Sequence, residues 1–327
     1  MQTAQQQLAG YDAAHRGAAF RRVPEPGIVV VRGQDPQGFI QRQTTNDARM
    51  LAPDRSVVTV LTSGTARILD VWRLVPEPDG TGILTLPGRG ALTARYLQGR
   101  IFFMDKVTVS DDSAAWAQIE LIGPETARVL AAFGLAQAPA PDQILTAALG
   151  DVSLRIVGQD GSTGQGCLLL VPAAHAEAAI TALAQNGAVE MAPDAYAVFR
   201  VEQGLPGPDH ELTESYTPLE VRLDGTVSLD KGCYTGQEVL ARQVNYDKIT
   251  RRLAGLRLDA EVPVGAAVLA DERTVGEVTS IAHSPRLGWL ALAVIKRPHF
   301  EPGVAVAVRA EGGDIPTVTS ALPFPTE

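Results

Sequence analysis

Between residues 115 and 191 the apolar runs and helix-start signals fall in one order, strand–helix–strand–strand–helix–strand, and few architectures accept it. Residues 115–122 are strand-like. Gly123-Pro124 then opens a helical stretch over 125–133, with proline in the first turn, where its missing N–H costs nothing. Two more strand-like runs follow at 152–157 and 167–171. Pro172 precedes a second helical stretch over 173–185, and 188–191 suits a short last strand. This is the split β-α-β order of ferredoxin-like modules. The segment G-Q-D-G-S-T-G-Q-G (158–166) has no G-K-[ST] and no helix after it, so it reads as a hairpin turn rather than a phosphate cradle.

Before this module, 29–32, 57–61, 69–75 and 83–86 are strand-like. Asp35-Pro36 marks the start of a short helix over 36–41. After it, 195–203 reads as a helix ended by Gly204-Leu205-Pro206. From residue 253 onward, short apolar runs (253–258, 266–269, 276–281, 289–294, 304–308) alternate with glycine and proline turns, the spacing of a small antiparallel barrel. The 327 residues are therefore an α+β chain of more than one domain, large enough to fold without a metal or disulfide staple.

The net charge of -9 argues against a general duplex-DNA or membrane-surface binder. Cys167 and Cys233 are the only cysteines, and the five histidines lack metal-ligand spacing, so no resident metal is expected. The first residues lack the basic flank and apolar core of a secretory signal, and no apolar run approaches the ~18 residues of a membrane span. The expectation is a soluble protein of a reducing, cytoplasmic compartment.

The segment K-G-C-Y-T-G-Q-E (231–238) carries the most chemistry. Thr235 and Glu238 have capping-box spacing, which predicts a helix starting there with Cys233 just outside its N-terminus. The helix dipole and Lys231 would then both favour a Cys233 thiolate. Gly232 and Gly236 would allow close backbone approach on either side. A structural cysteine in a glycine turn is the competing reading. Cys167, opening the apolar run C-L-L-L-V, reads as a buried thiol with a raised pKa.

The octamer resembles the signature of the YgfZ-type folate-binding proteins, relatives of the glycine cleavage T-protein (aminomethyltransferase) associated with iron–sulfur cluster assembly. Four further segments resemble that superfamily in the right order: F-I-Q-R-Q-T-T-N-D (39–47), R-V-E-Q-G-L-P (200–206), E-L-T-E-S-Y-T-P-L-E (211–220) and V-G-E-V-T-S-I-A-H-S-P (275–285). The resemblance implies three modules in a ring: a discontinuous folate-binding domain (1–110 plus 195–250), a ferredoxin-like domain (111–194) and a C-terminal β-barrel (251–327). Asp70 falls where aminomethyltransferases carry a catalytic aspartate within a D-D pair, but here Leu69 precedes it. S-G-T-A-R (63–67) displaces the glycine and basic residue usual before that strand. Transferases also lack the octamer's cysteine, so Cys233 favours the iron–sulfur branch.

A pterin edge offers N–H donors to a buried carboxylate, the role the resemblance gives Glu202, with an exposed helix glutamate as the alternative. Arg200, Tyr234, Gln237, Arg242 and Arg252 are the further folate-binding candidates. Between 231 and 257, Lys231, Arg242, Lys248, Arg251, Arg252 and Arg257 face only Glu238 and Asp247, a basic stretch suited to an anionic glutamate tail. Tyr234 and Tyr246 are too few aromatics for stable nucleic-acid binding. The leading expectation is an accessory protein that binds tetrahydrofolate or a one-carbon derivative and serves iron–sulfur client or assembly proteins, with Cys233 as reactive thiol and Lys231 beside it. Cys233 alone cannot hold a cluster permanently. The alternative is a folate-dependent aminomethyl or one-carbon transferase using Asp70.

Overall fold

The computed structural model describes residues 8–161 and 164–325. They form two compact units, one built from the chain up to Ala192 together with Gly225–Gln237, the other from Pro193–Asp224 together with the chain from Glu238 onward.

The first unit begins with α1 (Tyr11–Arg16), β1 (Ala19–Arg22), β2 (Gly27–Gly33) and α2 (Pro36–Gln41). Next come β3 (Val57–Thr62), β4 (Ile68–Glu77), β5 (Gly80–Thr85), α3 (Gly90–Gln98) and β6 (Val107–Asp111). It continues through β7 (Trp116–Ile122), α4 (Thr126–Leu130), β8 (Ile144–Leu149), β9 (Val152–Gly158), β10 (Cys167–Pro172), α5 (Ala176–Gln185) and β11 (Val189–Glu190). Strands β3-β4-β5-β2-β6 make one sheet, and β11-β1-β7-β10-β9-β8 another.

The two sheets pack face to face. Ile28 and Val30 of β2, Val75 and Leu84 meet Val157, Leu168 and Leu170 of the second sheet. On the outer face of the five-stranded sheet, Val29, Val31, Trp72 and Leu74 pack with Phe39 and Ile40 of α2 and Ala94 and Leu97 of α3. On the outer face of the other, Ile119, Leu121, Leu169 and Val171 pack with Val129 and Leu130 of α4 and Ile180 and Leu183 of α5. The order is therefore helices, sheet, sheet, helices. It explains why β2 (G-I-V-V-V) and β10 (C-L-L-L-V) are unbroken apolar runs: successive side chains point to opposite faces, and both faces are buried. The Asp35 start signal is made as the sequence predicts, its Oδ1 accepting from Gly38 N at 2.8 Å ahead of α2.

The ferredoxin-like order is present with both helices on one face, but the sheet holds six strands where the sequence reading places four. One addition is β8, joined to β9 by a two-residue Gly150-Asp151 turn with Gly150 at φ 59°. Its alanine-rich run, I-L-T-A-A-L, gives little β signal, although a glycine–aspartate pair between two apolar runs is a hairpin cue. The other is β1, only four residues long, which inserts between β7 and β11.

In the second unit, α6 (Pro193–Glu202) precedes α7 (Gln237–Asn245), which enters the unit at Glu238. Six strands then close the expected barrel: β12 (Arg251–Leu258), β13 (Ala267–Ala270), β14 (Arg273–Ser284), β15 (Gly288–Lys296), β16 (Ala305–Val308) and β17 (Ile315–Ser320). Val268, Val278, Ala291, Ala293 and Val308 belong to its core.

Phe20 tests the role of β1, since its fully buried ring lies in the core of the six-stranded sheet. Phe20→Ala should lower unfolding free energy in urea by about 3–5 kcal/mol. A loss under about 1 kcal/mol would show that β1 is peripheral.

Candidate functional site

The return segment Gly225–Gln237 is held in the first unit by residues that precede β3. Thr45 Oγ1 donates to Thr226 O at 2.6 Å, Asn46 Nδ2 to Gly225 O at 3.2 Å, and Ser228 N to Thr45 O at 3.0 Å. The strongest tie is Lys231. Its buried ammonium donates to the carbonyls of Gln41 (2.7 Å), Thr44 (2.6 Å) and Asn46 (2.7 Å). Two of the segments that carry the family resemblance, 39–47 and 231–238, therefore meet through one side chain. Burial pushes the Lys231 pKa down to about 8, with Asp47 holding it up in part, so the ammonium is still largely protonated at neutral pH. It also lies 5.0 Å from the ring centre of buried Tyr234, whose hydroxyl burial pushes up to about 12.

Lys231 thus has all three donors engaged by backbone, a structural role the sequence reading did not anticipate. Cys233, two residues on, is exposed. Gly232 is exposed as well, and an added Cβ there would meet nothing within 4 Å, so only one of the two expected close approaches exists. That one is Gly236, at φ 88°, where an added Cβ would lie 2.8 Å from Ser63 O and 3.0 Å from Ala66 Cα. Thr62 Oγ1 donates to Thr235 O at 2.7 Å on the same side. The Cys233 loop is therefore seated against the S-G-T-A-R turn. Helix α7 starts at Gln237, and Glu238 pairs with Arg242 one turn along. The reciprocal capping box lies instead at Thr217–Glu220, where Thr217 N donates to Glu220 Oε2 at 2.8 Å. Gln237 Nε2 reaches Lys231 O at 3.4 Å.

Asp70 lies on β4, on the same face as Trp72 and Leu74. Its Oδ1 accepts from Val71 N (2.9 Å) and Leu86 N (3.1 Å). Its Oδ2 accepts from Trp72 Nε1 (2.8 Å) and Thr93 Oγ1 on α3 (2.6 Å). Burial raises the Asp70 pKa, and these donors oppose the rise. The carboxylate joins strand to helix inside the core and is only 2% exposed. Each of its oxygens accepts two hydrogen bonds.

In the second unit, Arg200 of α6 donates to Leu205 O (2.8 Å), Glu211 Oε2 (3.1 Å) and Ser280 Oγ (2.8 Å). Glu211 also accepts from Gly207 N (2.8 Å), Thr279 Oγ1 (2.6 Å) and Ser280 Oγ (2.7 Å). The resembling segments 200–206, 211–220 and 275–285 are thus gathered around one buried ion pair. A guanidinium used in this way is a packing element, a role the sequence reading of Arg200 does not contain. Glu211, Thr279 and Ser280 were not singled out in the sequence, though each stands inside a quoted motif. Glu202 closes α6 at 3% exposure, so the exposed-glutamate alternative does not hold.

Two cations of the basic stretch pair with carboxylates that a count over 231–257 does not include, while its own Asp247 pairs with Arg297. Arg251 bonds Glu220 (2.7 Å) and Ser215 O (2.6 Å), and Arg252 bonds Asp224 (2.6 Å). Arg257 donates to Pro325 O, and Lys248 lies 5.4 Å from the Tyr246 ring centre. Arg242 and Arg252 remain partly accessible, each already carrying a carboxylate partner.

Comparison with known proteins fits this architecture. Residues 9–231 match the GCVT N-terminal domain, and residues 251–325 match the glycine cleavage T-protein C-terminal barrel domain. A chloroplastic Arabidopsis thaliana protein named as a candidate transferase is 29% identical over 96% of this chain and 72% of its own. A Natronomonas pharaonis protein named as a probable aminomethyltransferase is 31% identical over 96% of this chain and 89% of its own. The crystal structure of the glycine cleavage system aminomethyltransferase T of Bartonella henselae superposes with a TM-score of 0.83 at 20% identity, covering 97% of this chain and 89% of that one, a likeness of fold.

The two thiols differ in setting. Cys167 is wholly buried, and burial pushes its pKa up to about 12, whereas Cys233 is open to solvent. A chromogenic disulfide reagent at neutral pH should modify one thiol of the folded protein, identified by peptide mapping as Cys233, and the second only after denaturation. Equal rates would contradict this placement.

Proposed function

Because the chain belongs to the glycine cleavage T-protein family, we propose that it is a folate-binding accessory protein that acts through Cys233 in iron–sulfur cluster assembly or repair. The observation that carries this reading is the contrast between the two candidate reactive groups. The Asp70 carboxylate is committed to four donors, while the Cys233 thiol is exposed on a loop anchored by Lys231 and Gly236.

Tetrahydrofolate, or a one-carbon derivative of it, is the ligand in this proposal, and what it supplies when bound is a carrier for one-carbon units. Glu202 fits the pterin edge by chemistry: a largely buried carboxylate is the group that accepts two N–H bonds from a flat heterocycle. Tyr234 and Gln237 remain candidates as neighbours of the thiol loop, and Arg242 and Arg252 as the cations for the glutamate tail. Arg200, bonded to Glu211 and Ser280 beside α6, remains a candidate with them. The clients are iron–sulfur or cluster-assembly proteins, for which Cys233 acts as a transient iron ligand, its proton passing to solvent as the Fe–S bond forms, with the remaining ligands supplied by the client. We place this activity in the cytoplasm. Among the described residues, no helix is long and apolar enough to cross a membrane.

The names of the relatives favour a second reading, aminomethyl transfer. It would need Asp70 to exchange a core hydrogen bond for a substrate.

Calorimetric titration with tetrahydrofolate and assay of iron–sulfur enzymes in cells lacking the gene test the proposal together. Glu202→Gln should weaken binding about tenfold or more. Asp70→Asn should leave affinity unchanged while costing about 2 kcal/mol of stability, because an amide NH₂ faces the Trp72 N–H donor. Cys233→Ala should bind folate normally and fail to restore client activity. Full restoration by Cys233→Ala, or release of ammonia and methylene-tetrahydrofolate from an aminomethyl donor, would overturn the reading.

A further inference from the structure

The turn between α3 and β6 leaves three consecutive large apolar side chains in water: Phe102 is 65% exposed, Phe103 91% and Met104 67%. The turn is fixed from within. Phe102 N donates to Asp105 Oδ2 at 3.0 Å, Asp105 N donates back to Phe102 O at 2.9 Å, and Arg42 bonds Asp105 Oδ1 at 2.5 Å. Lys106 O accepts from Gln34 N at 3.0 Å, which anchors the exit into β6. An apolar cluster held rigidly outward contributes nothing to folding, and exposed clusters of this kind mark interaction sites.

Its surroundings specify the partner. Across residues 89–106 the chain carries Arg89, Arg95, Arg100 and Lys106, and the single acid, Asp105, is already paired with Arg42. Arg95, Arg100 and Lys106 are exposed, and the Arg100 guanidinium lies 4.2 Å from the ring centre of Tyr96, which steadies it. A local basic rim on a chain of net charge -9 suits a small acidic contact better than an extended anionic plane. Charges beyond about 8 Å are screened from a docked protein patch, whereas a bilayer meets the repulsion of the wider surface.

We propose that the Phe102–Phe103–Met104 turn is the docking site for a protein whose surface carries an apolar recess rimmed by carboxylates. Phe103 is the anchor, Phe102 and Met104 line the recess, and Arg95, Arg100 and Lys106 pair with the rim. Aromatic side chains and methionine suit this use, the first as rigid anchors and the second as an adaptable filler. The inference rests on neither folate nor Cys233.

The test places photoreactive p-benzoyl-phenylalanine at position 103 of the full chain, expressed in its own cells, and sequences the crosslinked peptides. The protein so identified is then purified and titrated against wild type, Phe103→Ser and Arg100→Glu. The expected result is a crosslink into an acidic, apolar-centred patch, about 30-fold weaker binding for Phe103→Ser and about tenfold for Arg100→Glu, with unchanged thermal midpoints. Affinity should also fall as salt rises. The proposal is overturned by crosslinks only to a second copy of this chain, by absence of any crosslink, by binding indifferent to both substitutions, or by Phe103-dependent flotation with 3:1 phosphatidylcholine–phosphatidylglycerol vesicles.

Discussion

A single buried ammonium holds the chemistry-bearing loop in place. Lys231 lies about 190 residues along the chain from its acceptors, and its three donors are matched by three carbonyls, those of Gln41, Thr44 and Asn46. A charge removed from water in this way is tolerable only because every proton has an acceptor. The same contacts act with those of β3 to fix residues 41–46: Thr45 N donates to Val60 O at 3.0 Å, and Asn46 N to Thr59 Oγ1 and Asn46 Nδ2 to Val58 O, each at 2.8 Å. With Lys231 committed, the loop reaches Gly236, packs against the turn at 63–67, and leaves Cys233 at the surface.

The five resembling segments sort by unit, and each group closes on a buried charge. In the first unit, 39–47 and 231–238 close on Lys231. In the second, 200–206, 211–220 and 275–285 close on Arg200 and Glu211. The residue patterns that make the family recognisable are in large part those that satisfy buried polar groups. Removing one member strands the others without a partner, which costs more than a typical surface change. Asp70 belongs to the same class. Its carboxylate serves as a four-way acceptor between β4, the residue after β5 and α3.

Much of this was legible in the residues themselves. The runs 29–32 and 167–171 read as strands, Asp35-Pro36 as the start of α2, and the spacing after residue 253 as a barrel. What escaped depended on partners distant in sequence. Strand β1 is too short to show a period, and β8 is built largely from residues with weak β preference. Arg251, Arg252 and Arg257 looked unpartnered because Glu220, Asp224 and Pro325 O lie outside the 231–257 window. The packing role of Lys231 escaped because its adjacency to Cys233 is visible in the sequence and three distant carbonyls are not.

The central claim, that Lys231 holds the Cys233 loop in place through three backbone carbonyls, is tested most directly in Lys231→Met by measuring urea stability together with native-state hydrogen exchange over residues 225–237. The structure predicts a stability loss of about 3 kcal/mol, from three carbonyls left without their charged donor, with faster exchange in that segment. Unchanged stability with unchanged exchange would contradict it and show that other contacts seat the loop.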